Sequence, residues 1–226
     1  MKNQTLVALA SVAISASAFA GATAYTESFG DAQNDLFDNG FGNLDITNVD
    51  VTYHSAGFLQ FDISTRAFSS WTKYCLFISA GSGASTVSNP WNRPHSTNGQ
   101  TITHFVGSWV DQPENNSQTW QFGASGGELW AHISNDSNSQ AGNTVSLFLR
   151  GITLNAGDSI RFDVGTSGGG NDPMVDLLSR SNQSTISWGS ASTSGNFLTF
   201  TIPGVPAPGA IALFGVAGLM SRRRRA

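Results

Sequence analysis

The sequence has little that would support cysteine chemistry or a helical domain. Cys75 is the single cysteine among 226 residues, which excludes an intrachain disulfide. It lies in the largely apolar segment 71–78, where we expect a buried, unreactive thiol. Almost no stretch between the two ends has apolar residues at i, i+3 and i+4, so amphipathic helices are not expected there.

Basic side chains are also scarce once the two ends are set aside. Residues 21–204 contain six Lys and Arg against fifteen Asp and Glu, a formal charge of −9. Such a surface repels nucleic-acid phosphates and anionic lipid headgroups and favours cations such as Ca²⁺. We therefore expect no nucleic-acid partner.

The N-terminus has the three parts of a signal peptide. Lys2 supplies a positive charge, residues 6–14 form an apolar stretch, and Ala18-Phe19-Ala20 is a small-x-small cleavage site. The apolar stretch is too short to span a bilayer. We predict a signal helix over residues 1–20, cleaved after Ala20, and hence export.

The C-terminus holds a second apolar run, at residues 205–220, followed by four arginines. As a helix, sixteen residues reach about 24 Å, short of a hydrocarbon core of about 30 Å, and Pro206 and Pro208 shorten the helix further. We predict a short transmembrane helix in a tail over 204–226; a buried element with a solvated basic end is the alternative. The positive-inside rule keeps the arginines cytoplasmic as a stop signal: Arg222, Arg223, Arg224 and Arg225.

Between these ends the apolar residues alternate with polar ones in short runs. Leu59, Phe61 and Ile63 are one example, and Gly, Ser and Asn separate the runs. The pattern is typical of antiparallel strands. It predicts an all-β domain over residues 21–203, an antiparallel two-sheet β-sandwich of jelly-roll type. The predicted strands are 44–53, 59–63, 71–79, 102–109, 118–123, 129–133, 145–149, 160–164, 184–189 and 198–202.

Two longer loops, 80–101 and 165–174, interrupt this pattern, and functional residues concentrate in such loops. Indole rings stack on the apolar faces of sugar rings, while Arg and Asp bind hydroxyl groups. The candidate ligand-binding residues are Trp91, Arg93, His95, Trp109, Asp111 and Trp120. The alternative is that the tryptophans fill the ends of the sandwich.

An acidic segment precedes the first predicted strand and is the best candidate for a metal site. Hard oxygen ligands suit Ca²⁺, which takes six to eight of them. The candidate ligands are Asp31, Asp35, Asp38 and Asp45. The spacing is not that of an EF-hand, because Leu36 stands where that loop requires glycine. An ordinary acidic turn is the alternative.

Catalysis has little support in the sequence. Segments 123–127 and 165–169 match G-x-S-x-G, but no helical pattern follows either of them. The four histidines lack zinc-ligand spacing. A glycoside hydrolase needs two carboxylates across a cleft. The candidate pairs are Asp111 with Glu114 and Asp172 with Asp176, and nothing in the sequence places either pair across a cleft.

The tail resembles the sorting signal of PEP-CTERM proteins, the substrates of exosortases. The resemblance rests on Val205, Pro206, Ala207, Pro208 and Gly209, followed by the apolar run and the arginine cluster. Ala207 stands where the name-giving motif has Glu. The resemblance implies secretion, transient membrane insertion, cleavage near the motif by an exosortase-like enzyme, and delivery to the cell surface or extracellular matrix.

The domain itself resembles β-sandwiches related to carbohydrate-binding modules and DOMON-like domains. The resemblance rests on short motifs within residues 28–125, among them 44–49, 90–94 and 107–111. It implies that a sheet face or the end loops hold sugars. We thus expect a surface-sorted, non-enzymatic sandwich that contacts extracellular polysaccharide, with Ca²⁺ as a candidate cofactor. The alternatives are a structural matrix protein without a ligand and a secreted glycoside hydrolase.

Overall fold

The computed structural model describes residues 24–31, 35–36, 40–112, 116–180 and 192–204. These residues form twelve strands and no helix. The strands are β1 (Ala24–Gly30), β2 (Ile46–His54), β3 (Phe58–Thr65), β4 (Lys73–Ser79), β5 (His104–Trp109), β6 (Ser117–Phe122), β7 (Trp130–Asp136), β8 (Ser139–Ala141), β9 (Thr144–Leu149), β10 (Ser159–Ser167), β11 (Met174–Leu177) and β12 (Leu198–Thr201).

Several predicted features lie outside the described residues. They are the signal peptide 1–20, the sorting motif 205–209, the arginines 222–225, the predicted strand 184–189 and the candidate ligand Asp38. Within the described ranges there is no helix that is long and apolar enough to cross a membrane.

The strands form two antiparallel sheets, which confirms the predicted all-β, two-sheet architecture. The first has the order β1-β2-β3-β9-β8 and the second the order β11-β10-β4-β5-β6-β7, with β12 also paired to β10. Strands that follow one another in sequence pair as neighbours in β1-β2-β3 and in β4-β5-β6-β7. This order differs from the two Greek keys of a jelly roll. Residues Ala24–Ile202 form one compact unit.

The main core lies between the sheets and follows from the alternation in the strands. In β3, Leu59, Phe61 and Ile63 are buried, whereas Gln60 and Asp62 lie on the outer side. The second sheet supplies the facing layer, with Tyr74, Leu76, Ile78, Val106, Phe162 and Val164 among its members. Burial of these apolar side chains supplies the largest favourable term in folding.

A second core covers the outer side of the seven-stranded sheet. The connection between β4 and β5, which contains the predicted loop 80–101, crosses this side together with residues 192–197. Its buried members are Cys75, Phe77, Ile102, Phe105, Met174, Leu177 and Phe197. Cys75 is fully enclosed, and burial raises the pKa of its thiol to about 12, so the expected inert thiol is confirmed.

Three strands were not predicted from the sequence, and one predicted loop is shorter than expected. β1 and β8 were not predicted, and neither was β11, whose four residues are all buried and therefore show no alternation. The loop predicted at 165–174 is shorter, because β10 continues to Ser167 and β11 begins at Met174.

Candidate functional site

Three carboxylates from distant parts of the chain meet beside the start of β2. Ligand oxygens of Asp35, Asp45 and Asp176 all lie within 4.8 Å of one another. Asp45 and Asp176 are fully buried. The Ile46 amide donates to Asp176 Oδ2 at 2.6 Å and the Leu177 amide donates to Asp176 Oδ1 at 2.8 Å, so β11 carries Asp176 to the start of β2.

Asp31, which directly follows β1, lies near Asp176, and we call Asp31, Asp35, Asp45 and Asp176 together the acidic cluster. The Asp31 amide donates to the Thr47 carbonyl at 3.1 Å, and one of its carboxylate oxygens is buried. Arg66 Nε donates to Asp45 Oδ2 at 2.7 Å and supplies one positive charge. Both carboxylate oxygens of Asp35 are buried, and no described residue donates a hydrogen bond to either.

The proximity of these carboxylates changes their acidity. Burial, followed by the charge of Asp45, raises the pKa of Asp35 to about 6. Burial and then the charge of Asp31 raise the pKa of Asp176 well above its ordinary value, against the lowering effect of the Ile46 amide. Charged carboxylates crowded in a dry site repel one another unless a cation or a proton joins them. The raised pKa values of Asp35 and Asp176 follow from burial together with this repulsion.

The structure thus brings together two of the four predicted metal ligands, Asp35 and Asp45, and places a third, Asp31, near Asp176. Asp176 was not among the predicted ligands. Asp176 appeared in the sequence only as a possible hydrolase carboxylate paired with Asp172. Its burial in the acidic cluster takes it away from any exposed cleft. Asp176 lies 131 positions after Asp45, so no local sequence pattern indicates that the two side chains meet.

The tryptophans predicted to bind a ligand lie together on the outer side of β5–β7. Trp91, Trp109, Trp120 and Trp130 define what we call the tryptophan face. The Trp91 and Trp109 ring centroids are 4.2 Å apart at an interplanar angle of 34°. Trp120 lies on β6 beside His132 of β7, at 5.0 Å between ring centroids, and Trp130 contacts Phe122 at 5.4 Å.

A glycine and a glutamine fix the position of Trp91. A Cβ atom on Gly107 would lie 2.3 Å from Trp91 Cζ2, so the indole ring rests directly on the β5 backbone. Gln118 Oε1 accepts hydrogen bonds from Trp91 Nε1 at 3.4 Å and from Trp120 Nε1 at 3.3 Å. One side chain of β6 thereby joins Trp120 of the same strand to Trp91 in the connection between β4 and β5.

Arg93 and His95 both bond to other residues of the domain beside this face. Arg93 is buried, and its Nη1 donates to Ser167 Oγ and to the carbonyls of Gly168 and Asp172. Its guanidinium lies 5.5 Å from the Trp91 ring centroid. The guanidinium therefore fastens the loop that carries Trp91 to the β10–β11 connection.

His95 stacks on Phe77 at 4.2 Å, and its Nε2 lies 2.9 Å from Ser194 Oγ. Burial lowers the pKa of His95 to about 4, so the ring is neutral at pH 7. Ser194 Oγ donates to Asp163 Oδ2 at 2.7 Å. Because the serine lies between the histidine and the aspartate, this order is not that of a catalytic triad.

Asp111 lies at the rim of the tryptophan face. Both of its carboxylate oxygens accept hydrogen bonds from Lys73 Nζ at 2.9 Å. Lys73 pairs with Trp109 across β4 and β5, so this ion pair borders the Trp91–Trp109 stack. Asp111 remains partly exposed and can accept a hydrogen bond from a hydroxyl group at the surface.

The two G-x-S-x-G matches have no catalytic geometry. Residues 123–127 form part of the turn between β6 and β7, with positive φ at three glycines: Gly123, Gly126 and Gly127. Ser167 of the second match is buried at the end of β10. Neither serine precedes a helix in the part of the chain that the structure describes.

The comparisons with protein-family models, curated proteins and solved structures each gave no match.

Proposed function

We propose that this chain is an exported, surface-sorted, non-enzymatic protein whose β-sandwich binds extracellular polysaccharide through the tryptophan face. The predicted signal peptide and the PEP-CTERM-like tail support export, transient membrane insertion and processing by an exosortase-like enzyme. The observation that carries the binding proposal is the convergence of Trp91, Trp109 and Trp120 on one outer sheet side.

This face combines the two chemical features that sugar binding requires. Partly exposed indoles offer flat apolar surfaces on which sugar C–H faces stack. Around them lie polar groups that match hydroxyl groups, among them exposed His132 and Asn135 of β7 and Asp111 at the rim. Because Gly107 and Gln118 hold the indoles in place, little side-chain entropy is lost when a ligand binds.

The charge of the domain restricts the kind of polysaccharide. With a formal charge of −9 over residues 21–204, the domain repels anionic polymers such as uronic-acid chains. Stacking and neutral hydrogen bonds do not require a charged ligand. The proposal is therefore binding to a neutral polysaccharide, with weak dependence on salt.

Trp109→Ala and Trp91→Ala test this function in the full-length protein. The wild type is expected to be retained on at least one neutral polysaccharide in a pull-down panel, and each variant is expected to bind about tenfold or more weakly. Phe58→Ala, an aromatic substitution on the outer side of the other sheet, is the control and should bind as the wild type does. Retention of both tryptophan variants at the wild-type level would refute the assignment.

We also propose that the acidic cluster holds a structural Ca²⁺ ion. Asp35, Asp45 and Asp176 offer carboxylate oxygens within 4.8 Å of one another, and Asp31 adds a carboxylate near Asp176. Carboxylate oxygens are the ligand type that Ca²⁺ prefers. Main-chain carbonyls and water would complete six to eight ligands. Such an ion would join β1, β2 and β11 at one place and remove the repulsion that raises the Asp35 and Asp176 pKa values.

A structural matrix role is the second candidate function, and the outer side of the five-stranded sheet favours it. The polar side chains there bond to one another, as when Asp50 accepts from Ser28 and Asn48, and Asp62 accepts from Gln60 and Ser146. A surface whose polar groups are satisfied among themselves suits packing between copies of one protein. Concentration-dependent self-association in sedimentation, with no polysaccharide retained, would favour this candidate.

A further inference from the structure

An open cleft of about 410 Å³ lies at one end of the seven-stranded sheet, apart from the acidic cluster and the Trp91–Trp109 stack. It forms where residues 80–84 after β4 and residues 121–123 at the end of β6 meet residues 151–153 after β9. Its volume is within the range of about 300–1,000 Å³ found for small-molecule sites. None of the roles assigned above uses it.

The cleft exists because small residues line much of its wall. Gly81, Gly83, Ala84, Gly123 and Gly151 all border it. At Gly83 an added Cβ would meet no atom within 4 Å, and the backbone there is not in the left-handed region. The space beside Gly83 is therefore open, and a larger side chain fits at this edge of the cleft without backbone strain.

Most of the remaining lining residues carry neutral hydrogen-bonding groups, and Ala80, Ile152 and Phe122 border the cleft beside them. Gln121 supplies an amide, Thr153 a hydroxyl group, and His104 an imidazole whose Nδ1 lies 2.9 Å from Thr103 Oγ1. Among the described residues no Asp, Glu, Lys or Arg borders the cleft, so none of them offers a partner for a charged ligand. Uncharged donors and acceptors beside apolar residues fit a neutral, polyhydroxylated ring.

Phe122 connects this cleft to the tryptophan face. It pairs with Trp130 across β6 and β7, with ring centroids 5.4 Å apart at 70°. Trp120 lies two positions earlier on the same strand and hence on the same side of the sheet. We infer that the cleft is a second saccharide subsite, which takes one or two rings at an end or branch of the neutral glycan. This inference rests on the proposed function of the tryptophan face.

Gly83→Leu in the full-length protein tests the subsite by filling it. The probes are three neutral disaccharides, maltose, cellobiose and N,N′-diacetylchitobiose, titrated by calorimetry. The wild type is expected to bind at least one of them, and Gly83→Leu to bind it about tenfold or more weakly. The matched control is Gly169→Leu, another open glycine without a left-handed backbone, in the β10–β11 connection. Gln121→Ala is a second variant that removes one polar group without filling the cleft.

The same titrations separate the subsite from the tryptophan face. Trp109→Ala should keep disaccharide affinity while losing retention on the polymer. If the wild type binds no disaccharide, or if Gly83→Leu and Gln121→Ala bind it as Gly169→Leu does, the cleft is not a subsite, and polymer retention that depends on Trp109 still stands. If the wild type is retained on no polymer and binds no disaccharide, both proposals fail.

Discussion

Asp35→Asn is expected to lower the melting temperature in Ca²⁺ and to raise it in chelator. In Ca²⁺ the variant loses a ligand of the proposed ion. At free Ca²⁺ a hundredfold above Kd, binding stabilises the wild type by about 2.7 kcal/mol. For a chain of this size about 2–4 °C corresponds to each kcal/mol, so the ion accounts for about 5–10 °C. In chelator the variant instead removes one of the mutually repelling carboxylates, because burial and Asp45 disfavour the charged form of Asp35.

Thermal unfolding of wild type and variant in Ca²⁺ and in EDTA measures both expected changes in melting temperature, the decrease in Ca²⁺ and the increase in EDTA. Glu128→Gln, which removes an exposed carboxylate from the β6–β7 turn, is the control and should change neither midpoint by more than the experimental error. A wild-type midpoint that is the same in Ca²⁺ and in EDTA would contradict the calcium proposal. If the variant is less stable than the wild type in both conditions, Asp35 stabilises the fold through contacts within the protein and not as a ligand of a cation.

The stabilising effect of Asp35→Asn in chelator should disappear in acid. The pKa of Asp35 is about 6 in the folded protein against 3.8 ordinarily, so the folded state holds this proton more tightly than the unfolded chain does. The cost of the charged carboxylate is therefore fully present above pH 6, falls as the pH drops below that value, and is gone below 3.8. His95 and His104 titrate in both proteins, so their contribution cancels in the difference between variant and wild type. Melting in EDTA from pH 8 down to about pH 3.8 measures this difference.

Gly107→Ala is expected to displace Trp91 and to weaken polysaccharide binding about tenfold or more. The added methyl group would lie 2.3 Å from Trp91 Cζ2, so the ring must leave its present position against the β5 backbone and beside Trp109. Overpacking of this kind costs about 1–3 kcal/mol of folding free energy. Urea unfolding measures the stability, and the pull-down measures the binding.

Two controls make the Gly107→Ala result specific. Gly30→Ala adds a methyl group that meets no atom within 4 Å and should change neither quantity. In a Trp91→Ala background the stability cost of Gly107→Ala should largely vanish, because the clashing ring is absent. An equal cost in both backgrounds would show that Gly107 is needed for another reason.

The predictable parts of the fold are those in which one side of a strand faces solvent. β3 and β9 are buried on one side, and their alternation identified both. β11 is buried on both sides, so its four residues show no period and it was missed. In the same way, β4 was found as an apolar run, but nothing in it indicated that a second core covers its outer side.

The same limit applies to the candidate sites, where the sequence indicates only the residues that lie close together along the chain. Asp31, Asp35 and Asp45 were found because they are close in sequence, whereas Asp176 reaches the cluster through the pairing of β10 and β11. Arg93 beside Trp91 resembled a ligand contact, but its burial depends on acceptors more than 70 positions away. Gly107 carried a local signal that was not used, since a glycine within a strand often marks a close approach.

Hydroxyl-radical footprinting of the full-length protein on a retained neutral polysaccharide is the most direct test of where the sandwich binds. We expect the bound polymer to protect Trp109, Trp120 and His132 from oxidation. We expect unchanged oxidation of Phe58 and Phe148, which lie on the outer side of the other sheet. Protection of Phe58 and Phe148 with unchanged oxidation of Trp109 and Trp120 would place the binding surface on the opposite sheet and refute binding through the tryptophan face.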